Sequence, residues 1–292
     1  MTPFVILIVL ASTFMHAGWN LLSRYEHSEQ VFYQRMLIAV IVIGFLPAVA
    51  SEIATRSLTP LAWLCLFGSG FFAALYLYGL ARGYAMSDFT VVYPLARSLP
   101  VIIVAVADVL RGRELTPIGW VGVLLVSLGC LLVPLRSFKD IHWKNYFNPA
   151  SVWVVMAALG SVGYTLLDKL AAEAVQQSAA TAARYGYFYF LLSYLPYVGF
   201  LRLFRGKDEH AGQAGWRLAI LAGVLGFAAY WLILWAYQLS PNASYIVAFR
   251  QFSIVIGSLL AFRIYNEGGI GVRLSGALLI TSGLILIGVW GR

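Results

Sequence analysis

The sequence predicts an all-α integral membrane protein in which ten transmembrane helices form two inverted five-helix repeats around a central cavity. Three observations predict this fold. Of the 292 residues, 61% are hydrophobic and 11% are charged, less than half of the roughly 25% charge usual in soluble domains. Apolar runs of about 20 residues, the length that crosses a bilayer, recur along the whole chain. Polar residues of the first half also recur at matching places in the second half.

Charged and turn-forming residues divide the apolar runs into ten helices. Thr59-Pro60, Thr116-Pro117, Asn148-Pro149 and Ser240-Pro241-Asn242 stand where a helix begins or a turn falls. The first run follows Met1 without a basic segment or a small-residue cleavage site, so we expect a retained first helix. The predicted helices cover residues 3–22, 30–51, 60–83, 88–110, 116–135, 150–170, 180–203, 214–238, 242–264 and 270–290.

The predicted repeat depends on its polar matches, because any two membrane helices share Leu, Gly and Ala. Residues 17–24 (AGWNLLSR) resemble residues 162–169 (VGYTLLDK). Since five helices per unit is an odd number, the second unit, residues 139–292, must enter the membrane in the opposite sense to the first, residues 1–138. Inverted repeats are typical of transporters that alternate between two openings around a central site. The other matched pairs are Arg35 with Arg184, Pro47 with Pro196, Ser87 with Ser240, Arg97 with Arg250, and Glu114 with Glu267.

A Glu stands in the short loop between the fourth and fifth helix of each half, within Arg111–Glu114 and Tyr265–Glu267, and a Gly-rich helix follows each. With ten helices as five plus five, the chain resembles the drug/metabolite transporter superfamily, more narrowly its EamA-type exporters. Its aromatic-rich first half resembles bacterial exporters of aromatic amino acids. The resemblance implies a multi-pass protein of the bacterial inner (plasma) membrane, in which the fifth and tenth helices lie outside the cavity and support packing or dimers.

Ionisable side chains at membrane depth are the first candidates for substrate binding, because such charges are costly and usually functional. Arg97 and Arg250 lie about ten residues into the fourth and ninth helices, at matching positions of the repeat. A guanidinium there could bind a substrate carboxylate through two parallel hydrogen bonds. Alternatively, each Arg ties helices together through backbone carbonyls or extends to the membrane interface.

The first helix of each half also carries a polar face. His16 and Asn20 are four residues apart and share a helix face, with Trp19 beside them. In the second half Tyr164 lies between polar Ser161 and Thr165. We expect these faces to line the cavity, and hydrogen bonds between helices are the alternative explanation.

Aromatic residues with a few polar groups among them suit a planar, hydrophobic ligand with a charged group. Tyr78 and Arg82 share a face of the third helix, Trp231 and Trp235 lie at matching places on the eighth, and Tyr93 precedes Arg97 by one helical turn. These five complete the predicted set of substrate-binding residues. The alternative is that they belong to the aromatic belts at the membrane surfaces.

The first helix has no acid between Met1 and Arg24 that could capture a lipophilic cation. We expect Asp88, Asp108 and Asp168 near helix ends. A zwitterion or an anion bound by Arg is therefore favoured, and the predicted function is secondary transport that exports aromatic or hydrophobic amino acids and related small metabolites by alternating access. The alternatives are a multidrug or other organic-solute exporter of the same superfamily, and a non-transporting membrane enzyme or scaffold.

Other ligands and partners are not indicated. The sequence has no nucleotide-binding glycine loop, metal-ligand cluster or nucleophile–base pair, so no catalytic residues, metal or cofactor are expected. The 20 Lys and Arg are scattered among apolar runs, which argues against nucleic acid and leaves a small-molecule substrate and membrane lipid as partners. A monomer is the expected functional unit, with the oligomeric state open. Basic residues are more numerous in loops opposite the termini, which favours termini outside, although inverted repeats dilute this bias.

Overall fold

The computed structural model describes residues 1–23, 29–86, 89–133, 135, 137–140, 151–204, 215–256 and 270–291, and within them not the side chains of 21, 23, 84, 85 and 89–95. The described chain contains ten α-helices, a further helical segment at 252–256 and one 3₁₀ turn, Phe138–Asp140. The helices are α1 Pro3–Ser23, α2 Glu29–Thr55, α3 Pro60–Met86, α4 Phe89–Leu110, α5 Pro117–Leu132, α6 Ser151–Ala174, α7 Ala179–Leu203, α8 Trp216–Leu239, α9 Ala243–Arg250 and α10 Ile270–Trp290.

The predicted order of ten helices is confirmed, and the expected boundary signals that lie in described residues act as predicted. The Thr116 hydroxyl caps α5 by accepting a hydrogen bond from the amide of Gly119 at 3.0 Å. Thr59 accepts from the amide of Ala62 at 3.2 Å and starts α3 in the same way. The turn at 240–242 separates α8 from α9. The signal at Asn148-Pro149 and the end of the predicted ninth helix lie outside the described residues.

The outer surface of the bundle is suited to lipid. Six described helices, α1, α2, α3, α6, α8 and α10, are long and apolar enough to cross a bilayer. Large apolar side chains cover their outer faces, among them Leu46 at 77% exposure and Leu195 on α7 at 76%. A water-soluble protein would bury such residues. The protein is therefore a multi-pass membrane protein with an all-helical fold.

The closest contacts between helices join the two halves of the chain. α3 packs along α6, α1 along α8, α2 along α7 and α5 along α10. In each pair, residues early in one helix meet residues late in the other, so the partners run antiparallel: Gly68 of α3 meets Leu167 of α6, whereas Gly79 meets Ala157. Exchanging the halves turns the α3–α6 pair into the α8–α1 pair and leaves the other two pairs unchanged.

The α5–α10 contact is made by four glycines. Gly122 lies against Gly283 and Gly129 against Gly276, with each backbone meeting the carbonyl oxygen of the other. A Cβ atom on Gly129 would lie 2.6 Å from the Gly276 carbonyl oxygen, so only glycine allows this approach. Such close packing is a main source of helix association in lipid, where burial of apolar surface gives none. α5 and α10 would correspond in the predicted repeat, and they run in opposite directions.

Both chain ends lie on one face of the bundle. The Met1 amino group donates to the carbonyl oxygen of Gly291 at 3.5 Å, and the Thr116 hydroxyl at the start of α5 donates to the carbonyl oxygen of Trp290 at 2.9 Å. An even number of spans requires this. We call this face the termini side; it also contains the loops at 56–59, 111–116, 175–178 and 240–242.

Substituting Gly129→Ala is expected to destabilise the protein by about 1–3 kcal/mol, because the new methyl group meets backbone atoms of α10 that cannot move aside. Gly199→Ala in α7 is the matched control, since no described atom lies within 4 Å of its added Cβ. There the higher helix propensity of Ala should leave stability equal or slightly higher. Thermal unfolding in detergent measures both. Equal melting temperatures for the two variants would contradict the contact.

Candidate substrate cavity

A cavity lies in the middle of the bundle and is formed by both halves. Its lining comes from α1, α2 and α3 of the first half and α6, α7, α8 and α9 of the second, and it holds about 560 Å³ of empty space including its open part. Among the described residues, α5 and α10 contribute nothing to it, as the resemblance led us to expect. On α2 the lining residues are Met36 and Leu37. They lie in the half of the helix that is farther from the chain termini.

Four tyrosines from four helices form one wall of the cavity: Tyr76 of α3, Tyr164 of α6, Tyr189 of α7 and Tyr230 of α8. Tyr164 meets the other three rings edge to face at centroid distances of 5.7, 5.9 and 5.9 Å, and Tyr189 and Tyr230 lie 4.4 Å apart. Edge-to-face packing holds aromatic rings in fixed orientations. The wall can therefore bind a flat, hydrophobic group.

Arg250 is the cation in the described lining of the cavity. It is the last residue of the eight-residue helix α9, and eight residues at 1.5 Å rise place it about 12 Å from the start of the helix, close to the middle of a bilayer core of roughly 30 Å. The α-helix is interrupted at Gln251 and resumes at Phe252. The guanidinium, 8% exposed, lies over the Tyr230 ring at 5.7 Å from its centre. Aromatic faces stabilise a cation.

Arg97, which the predicted repeat pairs with Arg250, is held differently. Its Nη2 atom lies 2.5 Å from Nε2 of His16, and Nδ1 of His16 is 3.1 Å from the Trp19 indole nitrogen. A neutral imidazole has one acceptor nitrogen, so it accepts from one of these two donors at a time. His16 and Trp19 line the cavity, whereas Arg97 lies behind them. The two arginines therefore have unlike surroundings.

Asp168 lies in the interior, and our expectation that it is near a helix end was wrong. α6 extends to Ala174 and α3, α7 and α8 pack around it, so Asp168 is 1% exposed. Its Oδ1 atom accepts hydrogen bonds from the Ser69 hydroxyl at 2.5 Å and the Tyr185 hydroxyl at 2.8 Å, and Oδ2 accepts from Tyr230. One carboxylate thus ties four helices together. The spacing of Asp168 one turn after Tyr164 was the sequence signal that it shares the cavity-facing side of α6.

Several predicted residues of the first half lie away from the described cavity lining. Asn20 donates to the carbonyl oxygen of His16 in its own helix at 2.8 Å. Tyr78 is fully buried against Trp153 and donates to the backbone of α7. Arg82 lies over the Trp153 ring at 5.4 Å. Their side chains are packed between helices in this conformation.

The two predicted tryptophans of α8 also point elsewhere. The Trp231 indole donates to the carbonyl oxygen of Ala179 at 2.7 Å, and Trp235 packs edge to face against Phe4. The side chain of Tyr93 lies outside the described residues. Of the predicted residues, His16, Trp19, Tyr164 and Arg250 line the cavity. The structure adds residues that we did not predict: Ser12, Tyr76, Tyr189, Phe190, Ser193 and Tyr230.

On the termini side, ionic contacts close the space between the halves. Glu173 at the end of α6 forms ion pairs with Lys169 at 3.3 Å and with Arg111, in the loop after α4, at 2.7 Å. Lys169 in turn donates to the carbonyl oxygens of Tyr237 at 2.9 Å and Ser240 at 2.5 Å. The ammonium thereby satisfies the last carbonyls of α8.

Two further contacts join the halves on the same side. Asp108 of α4 accepts from both the amide and the hydroxyl of Ser244, at 2.8 and 2.6 Å, and so caps the start of α9. Glu52 of α2 pairs with Arg184 of α7 at 3.4 Å, and Arg184 also donates to Ser57 at 2.8 Å. Ionic and capping contacts therefore hold the two halves together on the termini side.

Residues 3–135 match the model of the EamA-like transporter family. This part of the chain is therefore similar to that family. The match supports the predicted resemblance to the drug/metabolite transporter superfamily, EamA type. The match covers helices α1–α5, of which α1, α2 and α3 contribute to the described cavity lining.

The whole chain resembles known structures in fold. A solved structure, described only as "Crystal structure of protein", aligns over 100% of this chain and 99% of its own length, with a TM-score of 0.71 and 17% sequence identity. In all, 27 solved chains match. At this identity the likeness shows the fold alone. No curated protein matches the sequence. The EamA-like unit therefore belongs to a chain whose complete fold also occurs elsewhere.

Removing one donor from the buried carboxylate is expected to destabilise the helix bundle. Tyr185→Phe should lower the free energy of unfolding by about 1–3 kcal/mol, because Asp168 loses a hydrogen bond that its buried surroundings cannot replace. Tyr194→Phe, on the same helix, is the control, since the Tyr194 hydroxyl has no hydrogen-bond partner within the described chain. Chemical or thermal unfolding in detergent measures the stability of both variants. Equal stability of the two would contradict a stabilising hydrogen bond between Tyr185 and Asp168.

Proposed function

We propose that the protein is a secondary transporter for small aromatic or hydrophobic solutes that carry a carboxylate, amino acids among them. It would export them across the bacterial inner membrane by alternating access. The observation that carries this proposal is the buried guanidinium of Arg250 in an aromatic cavity formed by both halves. The similarity of residues 3–135 to a transporter family is the reason to prefer transport over a membrane enzyme or scaffold.

The packing of the helices supports alternating access. The antiparallel pairs of α2 with α7 and of α5 with α10 join helices that correspond in the proposed repeat of residues 1–138 and 139–292. Because exchanging the halves preserves these contacts, a second arrangement is available in which the opposite side closes. In the present arrangement, the ionic contacts of Glu173 and Arg184 hold the termini side shut.

The described cavity also supports the choice of solute. Guanidinium groups bind carboxylates through paired hydrogen bonds, and the tyrosine wall offers flat apolar surface. The other candidate, export of multiple drugs including lipophilic cations, requires an acid that can be reached from the cavity. The described lining contains none.

Substituting Arg250→Gln is expected to lower saturable uptake by proteoliposomes at least tenfold, since a charge-assisted hydrogen bond is worth about 1.5–3 kcal/mol. Radiolabelled phenylalanine, tryptophan and their des-amino analogues are the solutes. Uptake by Arg250→Lys, which keeps the charge but not the paired hydrogen-bond geometry, should lie between that of the wild type and that of Arg250→Gln. Arg35→Gln is the control, because Arg35 lies over the Trp216 ring outside the cavity lining.

Folding of each variant is checked by its melting temperature and elution volume. Normal uptake by folded Arg250→Gln protein would show that Arg250 does not bind the transported solute. Saturable uptake of a lipophilic cation, with none for any aromatic carboxylate, would overturn the proposed solute class.

Loosening the closed side should expose residues that are now buried there. In a Cys65→Ala, Cys130→Ala background, Ser240→Cys places a thiol at a position 4% exposed on the termini side. Adding Glu173→Gln removes the ion pair to Arg111 and should raise the rate of labelling by a hydrophilic thiol reagent several-fold.

Glu114→Gln is the matched control for this experiment. Glu114 is exposed on the same side and forms no ion pair with described residues. An unchanged labelling rate with Glu173→Gln, or an equal rise with Glu114→Gln, would show that the ion pair does not hold this side closed.

A further inference from the structure

The charges around the cavity are unbalanced. The described lining contains Arg250 and no acid, and a second guanidinium, Arg97, lies directly behind His16. A ligand in the cavity therefore meets a positive potential, which attracts a carboxylate and repels an ammonium group.

The nearest buried carboxylate is not open to the ligand. Asp168 uses both of its oxygens to accept hydrogen bonds from Ser69, Tyr185 and Tyr230. Tyr230 lines the cavity and stands between it and Asp168. An ammonium group could pair with this carboxylate only by displacing the Tyr230 hydroxyl.

Neutral groups of the described lining give an ammonium little compensation. An ammonium has three N–H donors that need acceptors when water is removed. The hydroxyls of Ser12 and Ser193 already donate to backbone carbonyl oxygens, of Ala229 at 2.7 Å and of Tyr189 at 2.6 Å. Each hydroxyl can still accept a hydrogen bond, but the two lie on different helices, α1 and α7.

The aromatic faces that could attract an ammonium group already surround a cation. The Arg250 guanidinium lies over the Tyr230 ring, and Tyr164 and Tyr76 line the same cavity. A second cation among these rings would lie next to the first. Cation–π attraction in this cavity therefore already stabilises the protein's own arginine.

We infer that the preferred ligand of this cavity is an aromatic monocarboxylate anion without an amino group, rather than the corresponding zwitterionic amino acid. The inference rests on the proposed function and narrows its solute class. The carboxylate binds to Arg250, the ring packs against the tyrosine wall, and the carbon between them meets apolar groups. Solutes of this kind are the des-amino and 2-oxo acids related to aromatic amino acids.

Three ligands that share a phenylethyl unit test this inference: 3-phenylpropanoate, L-phenylalanine and 2-phenylethylamine. Their dissociation constants are measured by titration calorimetry on the whole purified protein at pH 7. We expect 3-phenylpropanoate to bind at least tenfold more tightly than phenylalanine, and phenylethylamine to show no saturable binding. Equal or tighter binding of phenylalanine would overturn the inference but leave the proposed function standing. Absence of binding by either carboxylate would overturn both.

A designed change of preference gives a second test. Ser193→Asp adds a carboxylate to the described lining and should narrow or reverse the ratio of the two dissociation constants, because phenylalanine gains a partner for its ammonium group. Ser193→Asn has the same shape without the charge and should keep the wild-type order. A ratio that is the same in folded Asp and Asn variants would contradict the electrostatic explanation.

Discussion

A guanidinium inside a bundle that lipid surrounds must be compensated by the protein itself, because hydrocarbon offers no acceptors. Arg250 meets this constraint in part through the face of the Tyr230 ring. Tyr230 connects this cation to Asp168, whose carboxylate in turn fixes α3, α6, α7 and α8. The groups that make the charge tolerable are therefore the same groups that shape the cavity.

Contacts between the halves are of two kinds, and each has its own place. Glycines bring α5 and α10 into backbone contact away from the cavity, where shape alone holds the helices together. Charged and capping contacts, such as Asp108 with Ser244 and Glu52 with Arg184, gather on the termini side. Polar contacts near an aqueous face can separate and be rehydrated, so a bundle built this way can open at its ends while its outer helices stay packed.

The sequence was sufficient to predict the helices but not which face of each helix points into the cavity. Bilayer thickness dictates the length of an apolar run, so the helix order followed from hydropathy. Which side of a helix faces the cavity depends on its neighbours: Trp231 and Trp235 belong to a helix that is apolar all round, and they turn towards α7 and α1. The matched arginines likewise acquired different surroundings, because His16 has no counterpart beside Arg250. Asp168 was missed because its depth depends on how far α6 continues.

A structure determined with 3-phenylpropanoate bound tests the role of Arg250 most directly. We predict the ligand carboxylate at about 2.7–2.9 Å from the Arg250 guanidinium nitrogens, with its ring against Tyr76, Tyr164 and Tyr189. Ligand density outside the cavity, or a carboxylate bound to other groups while Arg250 still lies over Tyr230, would contradict this account.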